Sequence, residues 1–255
     1  MNEIFETHAH YDDEAFDEDR DLILQSLQDK GVCGVVTAGA DLKSSLKAIE
    51  LSQKYEYIYA AVGVHPENVS ENLDENYLEK LSTLISENQK VVAVGEIGLD
   101  YHFRTDNKEL QKEVFINQIK LANKLGLPVL VHDREAHADT MEILKNLRPR
   151  GIVHCFSGSL EMANEVARLG MFLGIGGVVT FKNAKTIVEV VRGMPLDVMV
   201  LETDAPYMAP TPFRGKRCDS SMIKYTAQRV AEIKGANVSD VLEITKNNAK
   251  KLFGV

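Results

Sequence analysis

The stretch VVAVGEI, residues 91–97, decides how this chain is read. Four apolar residues and a glycine run together without the alternation of a half-exposed strand, then stop on a carboxylate, Glu96. Short, nearly continuous apolar runs fit strands buried on both faces, as in a parallel sheet. A carboxylate buried unpaired at the end of such a run costs several kcal/mol. Glu96 therefore asks for a cation.

The same pattern recurs along the chain. EIFETH (3–8), CGVVTAG (33–39), YIYAAVGVH (57–65), PVLVHD (128–133), GIVHCF (151–156), MFLGIGG (171–177) and VMVLETD (198–204) complete a set of eight with residues 91–97. Amphipathic stretches lie between them. DLILQSLQDK precedes Gly31, LKSSLKAIELSQKY follows Asp41, and KEVFINQIKLANKLG repeats its apolar residues at helical spacing before Gly126. Glycine at a helix C-terminus is a common stop. Strand then helix, eight times over, predicts a (β/α)8 TIM barrel of the α/β class. The competing open doubly wound sheet lacks a G-x-G-x-x-G after its first strand. The Pro-rich piece APYMAPTPFRG (205–215) reads as a long loop after the eighth strand, and two helical stretches close the chain. With no linker or low-complexity tract, residues 1–255 are expected to form a single TIM-barrel domain.

Bulk properties set limits. The chain has 255 residues, 44% hydrophobic and 26% charged, as expected of a soluble protein with ample core. No apolar run reaches bilayer length, and the N-terminus lacks the features of a signal peptide, so a cytoplasmic location without membrane contact is expected. Three cysteines without a C-x-x-C pair fit reduced thiols. A net charge of −9 argues against a broad electrostatic grip on nucleic acid. It leaves room for a nucleic-acid substrate where bound cations neutralise the site locally.

Strand ends carry the chemistry. In a TIM barrel every C-terminal strand end faces one mouth. There the sequence sets His8 and His10 (strand one), His65 (three), Glu96 (four), His132 (five), His154 (six) and Asp204 (eight). His8 and His10 lie two apart, on one face of an extended strand. His8, His10, Glu96, His132, His154 and Asp204 are the expected metal ligands. Glu202, one pleat deeper than Asp204, is expected in a structural pair, and His65 beside substrate rather than on metal. His102 and His137 read as solvated or rim residues, and Cys155 as a packed thiol turned away from His154. The acidic run YDDEAFDEDRD (11–21) reads as the solvated face of a helix and its first turn. It lacks the ligand spacing of an EF-hand loop.

THAH, GVHP, GEIGLDYH, VHDREA, HCFSGS, VVTFKNAK and LETDAPYMAPTPFRGKR resemble, in this order, the motifs of the TatD family of metal-dependent deoxyribonucleases, within the amidohydrolase-like barrels. The resemblance runs from the first strand to NNAKKLF at 247–253. It implies two divalent ions per chain: His8, His10 and Asp204 on one, His132 and His154 on the other, Glu96 bridging. It also implies that His65 and Arg134 lie near substrate phosphate. Two departures stand out. Cys218-Asp219-Ser220 replaces a common Asn-x-Pro tract, and Glu6 stands where Asp is usual, two residues before the first ligand.

Imidazole and carboxylate ligands suit Zn, Mn or Ni as well as Mg. Two ions about 3.5–4 Å apart clamp both oxygens of an in-line phosphoryl displacement and lower the pKa of an attacking water. Asp204 is the expected general base and Glu96 the group that fixes the spacing. Arg134 can hold a phosphate bidentately. Arg214, with Lys216 and Arg217, forms either a local basic patch at the mouth or a salt-bridged surface loop. The expectation is hydrolysis of DNA phosphodiesters, from 3′ ends of single strands as the resemblance implies, with no obligate protein partner. Alternatives are hydrolysis of esters, lactones or amides such as D-aminoacyl-tRNA on the same site, or a partner-binding barrel with little activity.

Overall fold

A computed structural model describes residues 3–255. Eight parallel strands run in sequence order around a nearly closed barrel: β1 Ile4–Ala9, β2 Val32–Ala38, β3 Ile58–Val62, β4 Val91–Asp100, β5 Val129–Arg134, β6 Gly151–Val153, β7 Phe172–Ile175 and β8 Met199–Leu201. The helices between them are α1 Arg20–Leu27, α2 Leu42–Lys54, α3 Tyr77–Glu87, α4 Lys108–Leu125, α5 His137–Leu147, α6 Leu160–Arg168 and α7 Lys185–Gly193. Then α8 Ile223–Lys234 and α9 Val238–Phe253 follow β8. The TIM-barrel expectation holds.

Local chemistry fixes the element ends. The Asp41 carboxylate accepts the Ser44 N–H at 2.7 Å while the Ser44 hydroxyl accepts the Asp41 N–H, a reciprocal cap that starts α2. Gly126 and Gly235, both left-handed, stop α4 and α8. The acidic run is less helical than its composition suggests, because α1 begins only at Arg20. Before it, the Arg20 guanidinium gathers the carbonyls of Tyr11 and Asp13 at 2.6 and 2.9 Å and holds the segment as a turn.

The seam between β1 and β8 is stitched rather than fully paired. It carries a parallel bridge, Ala9 to Ala205, and the Asp204 N–H donates to the His8 carbonyl at 2.9 Å. The buried Glu6 carboxylate crosses the same seam to the Thr203 N–H at 2.9 Å and to its hydroxyl. Outside, α9 covers it: the Phe253 ring stacks on Phe5 of β1, and Asn248 donates to the Met199 carbonyl at 2.7 Å.

Several strands end earlier than the apolar runs suggest. β3 stops at Val62, β6 at Val153 and β8 at Leu201, so His65, His154 and Asp204 sit just past their strands. The backbone turns there: Cys155 and Asp204 have φ of +43° and +65°, left-handed values uncommon outside glycine. Strand alternation therefore does not extend to Cys155, or to Glu202 and Asp204. Cys155 keeps intermediate exposure, and burial, with Asp204, Glu202 and Glu96 near it, pushes its thiol well up, so it is packed against the site rather than turned from it.

Candidate metal centre

Glu96 is the hub of the mouth. Its carboxylate is buried, and its two oxygens divide their neighbours. Oε2 lies 3.2 Å from Nε2 of His8 and 3.2 Å from Nε2 of His10. Oε1 lies 2.8 Å from Nδ1 of His132, 2.7 Å from Nε2 of His154 and 3.4 Å from Nε2 of His65. Asp204 joins the first half, its Oδ1 3.4 Å from His10 and 3.8 Å from His8. All six candidate ligands thus meet, although His8 and Asp204 are 196 positions apart in sequence.

Hydrogen bonds behind the rings decide which nitrogen faces inward. Nδ1 of His10 donates to the Ala38 carbonyl at 2.9 Å, leaving the Nε2 lone pair toward Glu96 and Asp204. Nε2 of His132 donates to Asp100 Oδ2 at 3.0 Å, leaving Nδ1 toward Glu96. This is a carboxylate–histidine arrangement of the kind that orients metal ligands. His65 is opposite in character. Its Nδ1 accepts the Glu67 N–H at 3.2 Å, so the neutral ring carries its proton on Nε2, the atom facing the site. His65 therefore offers a donor to an anion, while its neighbours offer lone pairs to a cation.

Such a cluster needs cations. Burial opposes the charged form of His10, yet Asp204 and Glu96 raise it well above the ordinary imidazole value. His154 and, less strongly, His132 are also raised against burial by their carboxylates. Burial and the neighbouring His154 charge push His8 down instead. Burial works against ionisation of Glu96, but the surrounding imidazoles, His154 foremost, hold it well below the carboxylate range. Asp204 is lowered against burial by His10. The ring nitrogens Nδ1 of His8 and His154 are buried without a hydrogen-bond partner. Four imidazoles converging on two ionised carboxylates make a donor set that fits divalent metal, with nitrogen and oxygen ligands on both sides of Glu96.

The surrounding shell was only partly visible in the sequence. Asp100, fully buried at the end of β4, shares the strand parity of Glu96, the one signal of it in the sequence. It also accepts the N–H groups of His102 and Phe103 at 2.9 and 2.8 Å. Burial opposes its ionisation, but the His132 and backbone hydrogen bonds bring its pKa to about 2. Glu202 holds the Cys155 N–H and lies 3.7 Å from Nδ1 of His154, so its structural pair is made with the turn that carries a candidate ligand. Glu6 accepts the His8 N–H at 3.1 Å, and burial pushes its carboxyl up to about 8. The Cys218-Asp219-Ser220 tract turns to Tyr11, whose hydroxyl lies 2.8 Å from the Ser220 hydroxyl.

Among the expected substrate contacts, Arg134 and Arg214 are exposed at the mouth, and neither guanidinium has a carboxylate or hydrogen-bond partner among the described residues. Arg217, by contrast, is tied to Asp19 at 2.5 Å, which removes it from the basic patch. His102 and His137 are rim residues paired with Glu135 and Asp133, each at 2.8 Å.

A family model described as TatD related DNase matches residues 5–254. The uncharacterized metal-dependent hydrolase YabD of Bacillus subtilis is 41% identical, the alignment covering 99% of both chains. The crystal structure of YjjV, a TatD homolog from Escherichia coli, superposes with a TM-score of 0.93 at 32% identity, covering 99% of this chain and 98% of that one. The phosphotriesterase homology protein of Escherichia coli, at 15% identity and a TM-score of 0.68 over 98% of both chains, shares the fold.

Proposed function

The chain belongs to the TatD related DNase family and is a metal-dependent hydrolase, and on that premise we propose that it hydrolyses DNA phosphodiesters, removing nucleotides from the 3′ ends of single strands. The observation that carries a two-ion site is the division of Glu96, one oxygen toward each set of imidazoles. His8, His10 and Asp204 would hold one divalent ion, His132 and His154 the other, and Glu96 both. The donor set suits Mn, Zn or Ni as well as Mg. When bound, the two ions supply Lewis acidity to the phosphoryl group and acidify the attacking water.

The remaining work falls to this chain. Asp204 takes the proton of the attacking water and returns it to the departing 3′ oxygen as the P–O bond breaks. His65 donates its Nε2 proton in a hydrogen bond to a phosphate oxygen. Arg134 and Arg214, unpaired and charged, receive the non-bridging oxygens and flanking phosphates. Those free guanidiniums support a phosphate substrate over a neutral ester.

The test uses metal-stripped protein and a 5′-labelled single-stranded oligomer, with Mg, Mn, Zn and Ni restored in turn and Asp204→Asn alongside. Metal-dependent shortening from the 3′ end that is lost in the variant is the expected result. Two tightly bound ions without cleavage would keep the site and remove DNA as substrate; esters and aminoacyl-tRNA would then be tried.

A further inference from the structure

Two arginine–phenylalanine stacks stand on the rim of the mouth, in loops on well-separated sides of the barrel. On one, the Arg134 guanidinium at the end of β5 lies 4.4 Å from the ring centroid of Phe103, in the β4–α4 loop. On the other, Arg214, in the loop after β8, lies 4.1 Å from the ring of Phe181, in the loop after β7. Phe103 is 57% exposed, an unusual position for a phenyl ring with no core role. Neither arginine spends its charge on a carboxylate among the described residues, so each stack sets an aromatic ring beside free positive charge, and His102 packs edge-on against Phe103 with centroids 4.8 Å apart.

Both stacks are built on anchored backbone. The Phe103 N–H is held by Asp100, the carboxylate that also orients His132, and the Tyr101 N–H donates to the Arg134 carbonyl at 2.9 Å. Across the mouth, the Thr211 N–H donates to the Thr180 hydroxyl at 2.8 Å, and the Thr211 hydroxyl to the Thr180 carbonyl at 3.2 Å. Those bonds join the loop of Phe181 to that of Arg214. Phe103 is exposed and fixed to the carboxylate that orients His132, whereas Phe181 is half-buried and held by the loop after β8. An accessible ring with a cation beside it has the composition of a nucleobase platform.

We propose that Phe103 and Phe181 are nucleobase-stacking residues, one for the nucleotide on each side of the scissile phosphate, with Arg134 and Arg214 on the adjoining phosphates. The proposal rests on the nucleic-acid reading of the site and adds what recognises the bases. Every base has a π face, so the platforms confer a requirement for unpaired bases without a sequence preference.

The test measures binding, so that it reads whether or not the chain cleaves DNA. Metal-loaded protein is titrated into 5′-fluorescein decathymidylate whose last two linkages are phosphorothioates, and into the same oligomer abasic at its last two positions. Wild type should bind the intact oligomer more tightly. Phe103→Ala and Phe181→Ala should each raise its Kd by about tenfold. Neither change should weaken the abasic oligomer further, and Phe103→Trp should restore affinity. Equal binding of the two oligomers by wild type overturns the proposal, as does equal weakening of both by the alanine variants, or no binding of either. Base-dependent binding without cleavage of the same oligomer made with ordinary phosphodiesters would keep the platforms and sink the nuclease reading; cleavage of that oligomer without base-dependent binding would do the reverse.

Discussion

Asp204 carries two demands at once, a carboxylate aimed at His10 and a backbone at φ +65°. Asparagine tolerates that backbone better than any β-branched residue. Asp204→Asn should therefore keep its melting temperature within a few degrees while turnover falls about 10²–10⁴-fold, checked by thermal melts beside single-turnover cleavage. Asp100 acts through His132 rather than on substrate. Its replacement by alanine should weaken metal at the His132 and His154 half by about 10–100-fold, read by calorimetric titration. The titrating cluster gives a third test. His10, His132 and His154, raised above their ordinary 6.5, give metal-free protein stability that is complete below that value and lost as pH climbs through their raised ones. Glu96 and Asp204, lowered from 4.5 and 3.8, contribute above those values and lose it as pH falls through the lowered ones. His8, lowered, opposes the fold as pH drops below 6.5. Chelator-treated protein should thus melt highest at about pH 5–6. Metal-loaded protein should gain on it as pH rises, because ligation displaces the imidazole protons. A gap between the two melting curves that closes from pH 6 to pH 8 contradicts this account.

At the scale of elements, β4 and β5 approach closely where the site is made. Gly98 pairs with His132 in register, and a Cβ placed on it would lie 1.9 Å from the His132 carbonyl oxygen at a backbone φ of +151°. Gly98→Ala must push β5 away. It should cost about 3 kcal/mol in urea unfolding and lower metal affinity with it. Gly174 of β7 serves the other wall, since a Cβ there would meet Glu202 Oε2 at 2.3 Å, displacing the carboxylate that fastens the turn after His154. The strands themselves were legible because doubly buried parallel strands leave near-continuous apolar runs. Their last residues were not, because the chain leaves β3, β6 and β8 early and turns.

Over the whole molecule, a net charge of −9 sets a repulsive background for polyanions, against which Arg134 and Arg214 stand without carboxylate partners among the described residues. Single strands release about 0.7 counterions per neutralised phosphate. Two arginines then predict a shallow slope, about −1.4 in log affinity against log salt, for oligomer binding to metal-free protein. Fluorescence anisotropy across a salt series measures it, and a slope several times steeper would point to a far larger basic surface. None of the described helices is long and apolar enough to cross a membrane.

Apolar runs ending in His, Glu or Asp determined the barrel and the six converging side chains from sequence alone, because a parallel barrel sends every strand end to one mouth. Tertiary structure decided what stands behind them. The bonds of Ala38 to His10, Asp100 to His132 and Glu67 to His65, which set lone pair or proton toward the site, join residues 28, 32 and 2 positions apart and need their atoms in place. The division of Glu96 between two sets of imidazoles, and the pairing of Phe103 with Arg134 and Phe181 with Arg214, belong to that same level. A residue type announces what it can bond; only the folded chain fixes which partner it meets and from which side.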